Sequence, residues 1–143
     1  MASFKKILFP LNGKPEAVDY AVEIAKRSDA KLYLLKAYRL TDSKVKKLPA
    51  DKSVKHTLDR LIHEEFEKLY LDKLKNSGLK YEFLVEVGFL TDRIIAAIKE
   101  KNIDMLMLDG LDQKNDDSII ERLSELTVPV MLIPEKLPVS VTR

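Results

Sequence analysis

The chain has 143 residues, 45% hydrophobic and 34% charged, with a formal net charge of +2, the size and balance of one soluble globular domain spanning 1–143. So small a cationic excess gives no reason to expect nucleic acid as a partner. The absence of cysteine excludes disulfides, thiolate metal sites and cysteine nucleophiles; the opening MASFKKILFPLNG is too short an apolar run for a signal segment or a membrane span, so a cytoplasmic protein with no membrane partner is expected.

The run KKILFPL, Lys5 to Leu11, ends in Asn12 and Gly13, and KLYLLKAY, Lys31 to Tyr38, is rich in aromatic and branched residues; both read as strands. Between them Ala17, Ala21, Ile24, Ala25 and Ser28 recur at helical spacing, with Pro15 suited to the first turn and Glu16 and Asp19 favourable to the dipole there. This is a βαβ unit whose helix buries a face of small residues. From Thr41 to Ser53 the chain is polar, lysine-rich and interrupted by Pro49, which predicts an exposed loop.

A long helix is predicted next. Val54, Leu58, Ile62, Phe66, Leu69 and Leu74 hold one face up to Asn76, and Gly78 is placed for a left-handed C-terminal turn. KYEFLVEV alternates Tyr81, Phe83, Val85 and Val87, a strand with one polar face that fits a sheet edge. Thr91 is positioned to cap a helix carrying Ile94, Ile95 and Ile98, and DMLMLDG reads as a strand buried on both faces, its methionines being core packing. A helix with Ile119, Ile120, Leu123 and Leu126 then leads to VPVMLIP, a short strand bracketed by prolines. Strand and helix alternate four times and a fifth strand closes the series, so the expected class is α/β: an open parallel sheet with right-handed crossovers and helices on both faces.

In such a sheet ligands sit at the carboxyl ends of strands where the strand order reverses. The candidate ends are Pro10 to Gly13 and Asp109 to Gln113. The four glycines, at 13, 78, 88 and 110, form neither GxGxxG nor a P-loop, which removes dinucleotide and P-loop chemistry.

Taken together, ILFPLNG, KLYLLKAY, VEVGFLTDRIIAAIKEKNIDMLMLDG and SIIERLSELTVPVMLIP resemble, in order and spacing, the universal stress protein family. The resemblance covers nearly the whole chain except Leu40 to Gly78. It implies five parallel strands in order 3-2-1-4-5, an adenine nucleotide alpha hydrolase-like arrangement, and homodimers in which the fifth strands pair antiparallel. A physical reason points the same way: Val128 to Pro134 at a sheet edge exposes unpaired backbone and apolar side chains unless another chain, or the tail EKLPVSVTR, covers it.

Many family members bind ATP through G-x2-G-x9-G-S/T after the fourth strand and an aspartate ending the first. Gly110 matches the first glycine and Ser118 the hydroxyl residue, but Gln113 and Asp117 replace the other two glycines, the loop between them is six residues shorter, and Asn12 replaces the aspartate. A triphosphate needs several backbone N–H groups turned inward, which glycines permit. Asp116 and Asp117 instead neutralise the helix end, Asp109 and Asp112 add like charge, and Ser118 and Glu121 have capping-box spacing. The turn therefore reads as a phosphate cradle shortened and filled with acids.

Other constellations carry less. His56 and His63 are seven apart, roughly 10 Å along a helix, too far to share one zinc, and HEEFE lacks the second histidine of HExxH, so no metal site is expected. A solvated face with a His63–Glu67 pair fits better. The lysines of DSKVKKLPADKSVK have no aromatic neighbour for base stacking and read as a solvated loop. No serine, histidine and acid arrangement is supported.

The reading is a dimeric stress-response or regulatory binding module, not an enzyme, with no catalytic residue, no cofactor expected and ATP held weakly. The alternative is an ATP-binding member with weak or no hydrolysis, using Pro10, Leu11, Asn12, Gly13, Ala37, Gly110 and Ser118. A third possibility, an electron-transfer flavoprotein subunit, rests on fold analogy alone.

Overall fold

The computed structural model describes residues 4–11, 16–38, 60–61, 63–65, 68, 72–109 and 119–133. Its elements are β1 (Lys6–Pro10), α1 (Glu16–Ser28), β2 (Lys31–Tyr38), β3 (Tyr81–Val87), α2 (Leu90–Glu100), β4 (Met105–Asp109), a 3-10 helix η1 (Ile119–Glu125) and β5 (Val130–Ile133). All pairings are parallel and the strand order is β3-β2-β1-β4-β5. The α/β class, the order 3-2-1-4-5 and the burial of helices on both faces agree with the sequence.

Each of the three inner strands carries an uninterrupted apolar run, Ile7–Phe9, Leu32–Leu35 and Met105–Leu108, because both faces are covered there. Alternation divides them cleanly. Ile7, Phe9, Leu32, Leu34, Met105 and Met107 pack toward Ala17, Ala21 and Ala25 of α1, whereas Leu8, Tyr33, Leu35, Leu106 and Leu108 pack toward Ile94, Ala97 and Ile98 of α2. On α1 the buried stripe is wider than the alanines alone: Val18 and Val22 are buried too, while Ile24 and Ser28 are half-buried.

At the amino ends, Asp104 locks β1 to β4. Its Oδ2 accepts the N–H groups of Lys5 at 2.8 Å and Lys6 at 2.9 Å, and its own N–H donates to the Lys6 carbonyl at 2.8 Å. These bonds join residues almost a hundred positions apart and fix the register that brings both carboxyl ends to one end of the sheet.

The two edges differ in chemistry. On β3, Tyr81, Phe83 and Val85 pack inward, while Glu82 lies 3.0 Å from Lys31 Nζ and 3.3 Å from Lys101 Nζ. A charged edge resists pairing with another chain. On β5, Val130 and Ile133 pack against the core, but Met131 is 37% and Leu132 47% exposed. The strand predicted over Val128 to Pro134 is observed as Val130–Ile133, the Pro129 carbonyl accepting the Leu106 N–H at 2.9 Å as the chain enters it.

The long helix is present at residues 60–61, 63–65, 68 and 72–75. Leu74, on its predicted apolar face, is 1% exposed, and the His63 ring meets Phe83 edge-on at 5.0 Å. Val54, His56, Leu58, Ile62, Phe66, Glu67, Leu69 and the lysine-rich loop lie outside the described residues. Gly78 has φ +73, the left-handed turn expected of it; beside it Ser77 Oγ donates to the Leu74 carbonyl at 2.6 Å and accepts the Leu79 N–H at 3.0 Å.

Two local expectations are corrected. Thr91 is not a cap: Phe89 occupies that position with no side-chain cap bond, and Thr91 is 1% exposed inside α2. The cause is Gly88, whose φ of +139 turns the chain into the helix before Thr91 is reached. The helix predicted around Ile119 to Leu126 is instead the 3-10 element η1, broken at Arg122 with φ −116. Three residues per turn stacks i over i+3, and Arg122 uses that spacing to grip Glu125 through Nε at 2.7 Å and Nη2 at 3.0 Å. None of the described helices is long and apolar enough to cross a membrane.

Candidate functional site

The strand order reverses at β1, which has β2 on one side and β4 on the other. Crossovers leave toward opposite faces there, so a crevice forms at the carboxyl ends of β1 and β4. Pro10 ends β1, buried and in register with Leu35. Leu11 follows, half-buried against the α1 side of the core, with its N–H donating to the Leu35 carbonyl at 2.7 Å. Ala37 lies one residue from the end of β2, half-buried and in register with Glu86. Pro10, Leu11 and Ala37 are thus brought together at one end of neighbouring strands. Asn12, Gly13, Gly110 and Ser118 lie outside the described residues.

Lys36 stands beside these three and escaped the sequence reading. Its Nζ donates to the Leu11 carbonyl at 3.4 Å and lies 5.3 Å from the centre of the Tyr38 ring. The ammonium therefore sits where β1 ends, between a carbonyl and an aromatic face that both favour a cation. One signal was available: in KLYLLKAY, Lys36 is the one charge after Lys31 at the strand start, and it falls toward the carboxyl end where ligands bind.

The segment returning from β4 is held from the far side. Arg122, besides gripping Glu125, donates Nη1 to Asp92 in the first turn of α2. Arg122 holds the Glu125 carboxyl below the ordinary carboxylate range, chiefly by hydrogen bonding and then by charge. These groups are exposed, so the clasp orients η1 more than it stabilises the fold.

A separate cleft of about 30 Å³ lies between α2 and β3, over Leu84, Ala96 and Ala97. It has room for a water or two, not for a nucleotide. Among the described residues no three acidic or histidine side chains stand together as a metal site. Among the described residues, this end of the sheet presents the apolar Pro10, Leu11 and Ala37, strand-end backbone groups and the Lys36 ammonium.

The sequence profile of the universal stress protein family matches residues 3–109, which includes β1 through β4 and both ends that form the crevice. The chain belongs to the universal stress protein family. Its fold is that of solved family structures: a universal stress protein in complex with cAMP (18% identity, TM-score 0.68, covering 94% of this chain and 100% of that one). One from Burkholderia pseudomallei is similar at 20% identity, with a TM-score of 0.64 and coverage of 91% and 96%. A third, from Arabidopsis thaliana with AMP bound, has 16% identity, a TM-score of 0.63 and coverage of 97% and 99%. At such identities the likeness is one of fold. No curated protein matches the chain.

Proposed function

We propose that this universal stress protein is a cytoplasmic, homodimeric stress-response or regulatory module, joined through β5, that acts by binding and not by turnover. The observation that carries the reading is the β5 edge. Met131 and Leu132 point to opposite faces of a strand with one unpaired side, and both are substantially exposed. Antiparallel pairing of two such strands across a twofold axis satisfies both backbones and covers four apolar side chains at once. The reading includes no nucleic-acid or membrane partner and leaves protein partners beyond a second copy unnamed. Sedimentation velocity over a dilution series tests the reading: a dimer at micromolar concentration is required, and a monomer there ends it.

In this reading the crevice holds ATP weakly, because the turn after β4 retains one glycine, Gly110, and carries Asp112, Asp116 and Asp117. A second reading concerns the same crevice, a nucleotide with one phosphate. Relatives of the same fold are solved with AMP and with cAMP, and the Lys36 ammonium supports it here. The ATP-binding alternative with slow hydrolysis has no comparable observation behind it.

A further inference from the structure

We propose that η1 is a strap, closed on α2 by Arg122, that opens and closes as one unit with β5. Pairing at the β5 edge and the Arg122 clasp then stabilise each other, a consequence that rests on the dimer reading above.

The two elements carry matching charges. Asp92 and Lys99 are seven positions apart on α2, two turns along one face, and Arg122 and Glu125 are three apart on η1, one turn of a 3-10 helix. Arg122 donates Nη1 to Asp92 and grips Glu125 through Nε at 2.7 Å and Nη2 at 3.0 Å. The Glu125 carboxyl is held low above all by the Arg122 hydrogen bond, and the charge of Lys99 acts on it in the same direction. A guanidinium can face two acids at once, which the single point charge of an ammonium does poorly. Seven residues of 3-10 helix, non-helical at Arg122 itself, have little stability of their own, so η1 depends on what it is fastened to.

The fastening carries on into β5. Four residues separate Glu125 from Val130, and within that stretch Leu126 and Val128 pack, together with Ile119 and Val130, against the core of Ile94, Ala97 and Ile98. One apolar surface therefore runs from the start of the strap to the start of the strand. β5 is itself weakly held: it is a four-residue edge strand in which only Ile133 is buried. Segments with so few buried contacts open locally at a small fraction of the global free energy. Exposed ion pairs hardly move the stability of a whole fold, but a network of them is large enough to shift a local opening of that size.

The test is hydrogen–deuterium exchange by mass spectrometry on the full-length wild type, Arg122→Met, Asp92→Asn and Arg27→Gln, with peptides that separate Ile119–Glu125 from Val130–Ile133. Arg27 pairs with Glu23 at 2.8 Å on α1, across the sheet from the strap, and is the control for losing an exposed ion pair. Arg122→Met should speed exchange about three- to tenfold in both segments, Asp92→Asn should act in the same direction on both, and Arg27→Gln should change neither. In wild type, raising the protein from about 0.5 to 50 μM should protect both segments together as the dimer forms, because what favours the closed state at one end favours it at the other. Faster exchange in η1 with β5 unchanged, or the same changes in Arg27→Gln, overturns the strap. Protection of β5 that rises with concentration while η1 stays flat overturns the coupling. A wild-type protein that sediments as a monomer ends the dimer reading alone, since the effect of Arg122→Met on Val130–Ile133 still decides whether η1 and β5 open as one.

Discussion

Replacing Met131 by lysine places a charge in the β5 edge. Met131 is 37% exposed and Leu132 47% exposed, and fully burying such a side chain is worth about 1.5–3 kcal/mol. Covering the exposed part therefore contributes about 1 kcal/mol per side chain, and about 4 kcal/mol for the four that a twofold pair brings together. Met131→Lys removes the methionine share from both protomers at once, about 2 kcal/mol, which corresponds to roughly thirtyfold in the dimer dissociation constant. Two ammoniums near one axis add repulsion, although the lysine stems can reach solvent and relieve part of it. The fold itself should persist, because Met131 is exposed and Ile133, 3% exposed, still anchors the strand. Sedimentation velocity from about 0.5 to 50 μM, with circular dichroism as the folding control, measures the shift at concentrations that bracket a micromolar dimer. An unchanged dimer in Met131→Lys would refute the assignment of the interface to β5.

Substituting alanine at the two positive-φ glycines should separate strain from crowding. At Gly78, with φ +73 and open space around a new Cβ, Gly78→Ala should cost about 1 kcal/mol and lower the melting temperature by about 3 °C. Gly88→Ala should cost more, about 2–3 kcal/mol, because φ is +139 and the new Cβ meets Arg93 Nε at 3.3 Å; equal losses in urea unfolding would contradict the difference. Arg122→Ala should raise amide exchange across Ile119–Glu125 while leaving the global unfolding midpoint nearly unchanged, since the clasp from Arg122 to Asp92 and Glu125 is exposed. Glu82 is held below its ordinary value of 4.5, first by the hydrogen bond from Lys31. Its contribution is therefore present above pH 4.5 and disappears as pH falls through the lower folded value. Thermal melts of wild type and Glu82→Gln should differ slightly at pH 7 and converge toward pH 3; a gap that widens in acid would reverse the sign of this pairing.

Much of the fold was legible because burial on both sides leaves its mark in composition. The runs Ile7–Phe9, Leu32–Leu35 and Met105–Leu108 are apolar throughout and form the three inner strands, whereas Tyr81–Val87 alternates and lies at an edge. Gly78 was legible because few other residues adopt its turn. The start of α2 was misread because a threonine before an apolar stripe normally signals a cap; the deciding fact, the φ of +139 at Gly88, is one of several conformations open to a glycine and so is not written in the residue type. The 3-10 winding of η1 was equally hidden, since its apolar spacing also fits an α-helix and the Arg122 bond to Asp92, thirty residues earlier, is a long-range contact. In the crevice, Pro10, Leu11 and Ala37 could be placed from the strands that carry them. Lys36 was missed because only the parallel pairing of β1 and β2 sets its ammonium beside the Leu11 carbonyl.

The most direct test of the central claim, a regulatory dimer whose crevice holds ATP weakly, is calorimetry of the wild-type protein with ATP and magnesium. The account predicts a dissociation constant weaker than about 100 μM, because one glycine and a cluster of acids leave little to hold three phosphates. Micromolar binding that Gly110→Asp abolishes would contradict it.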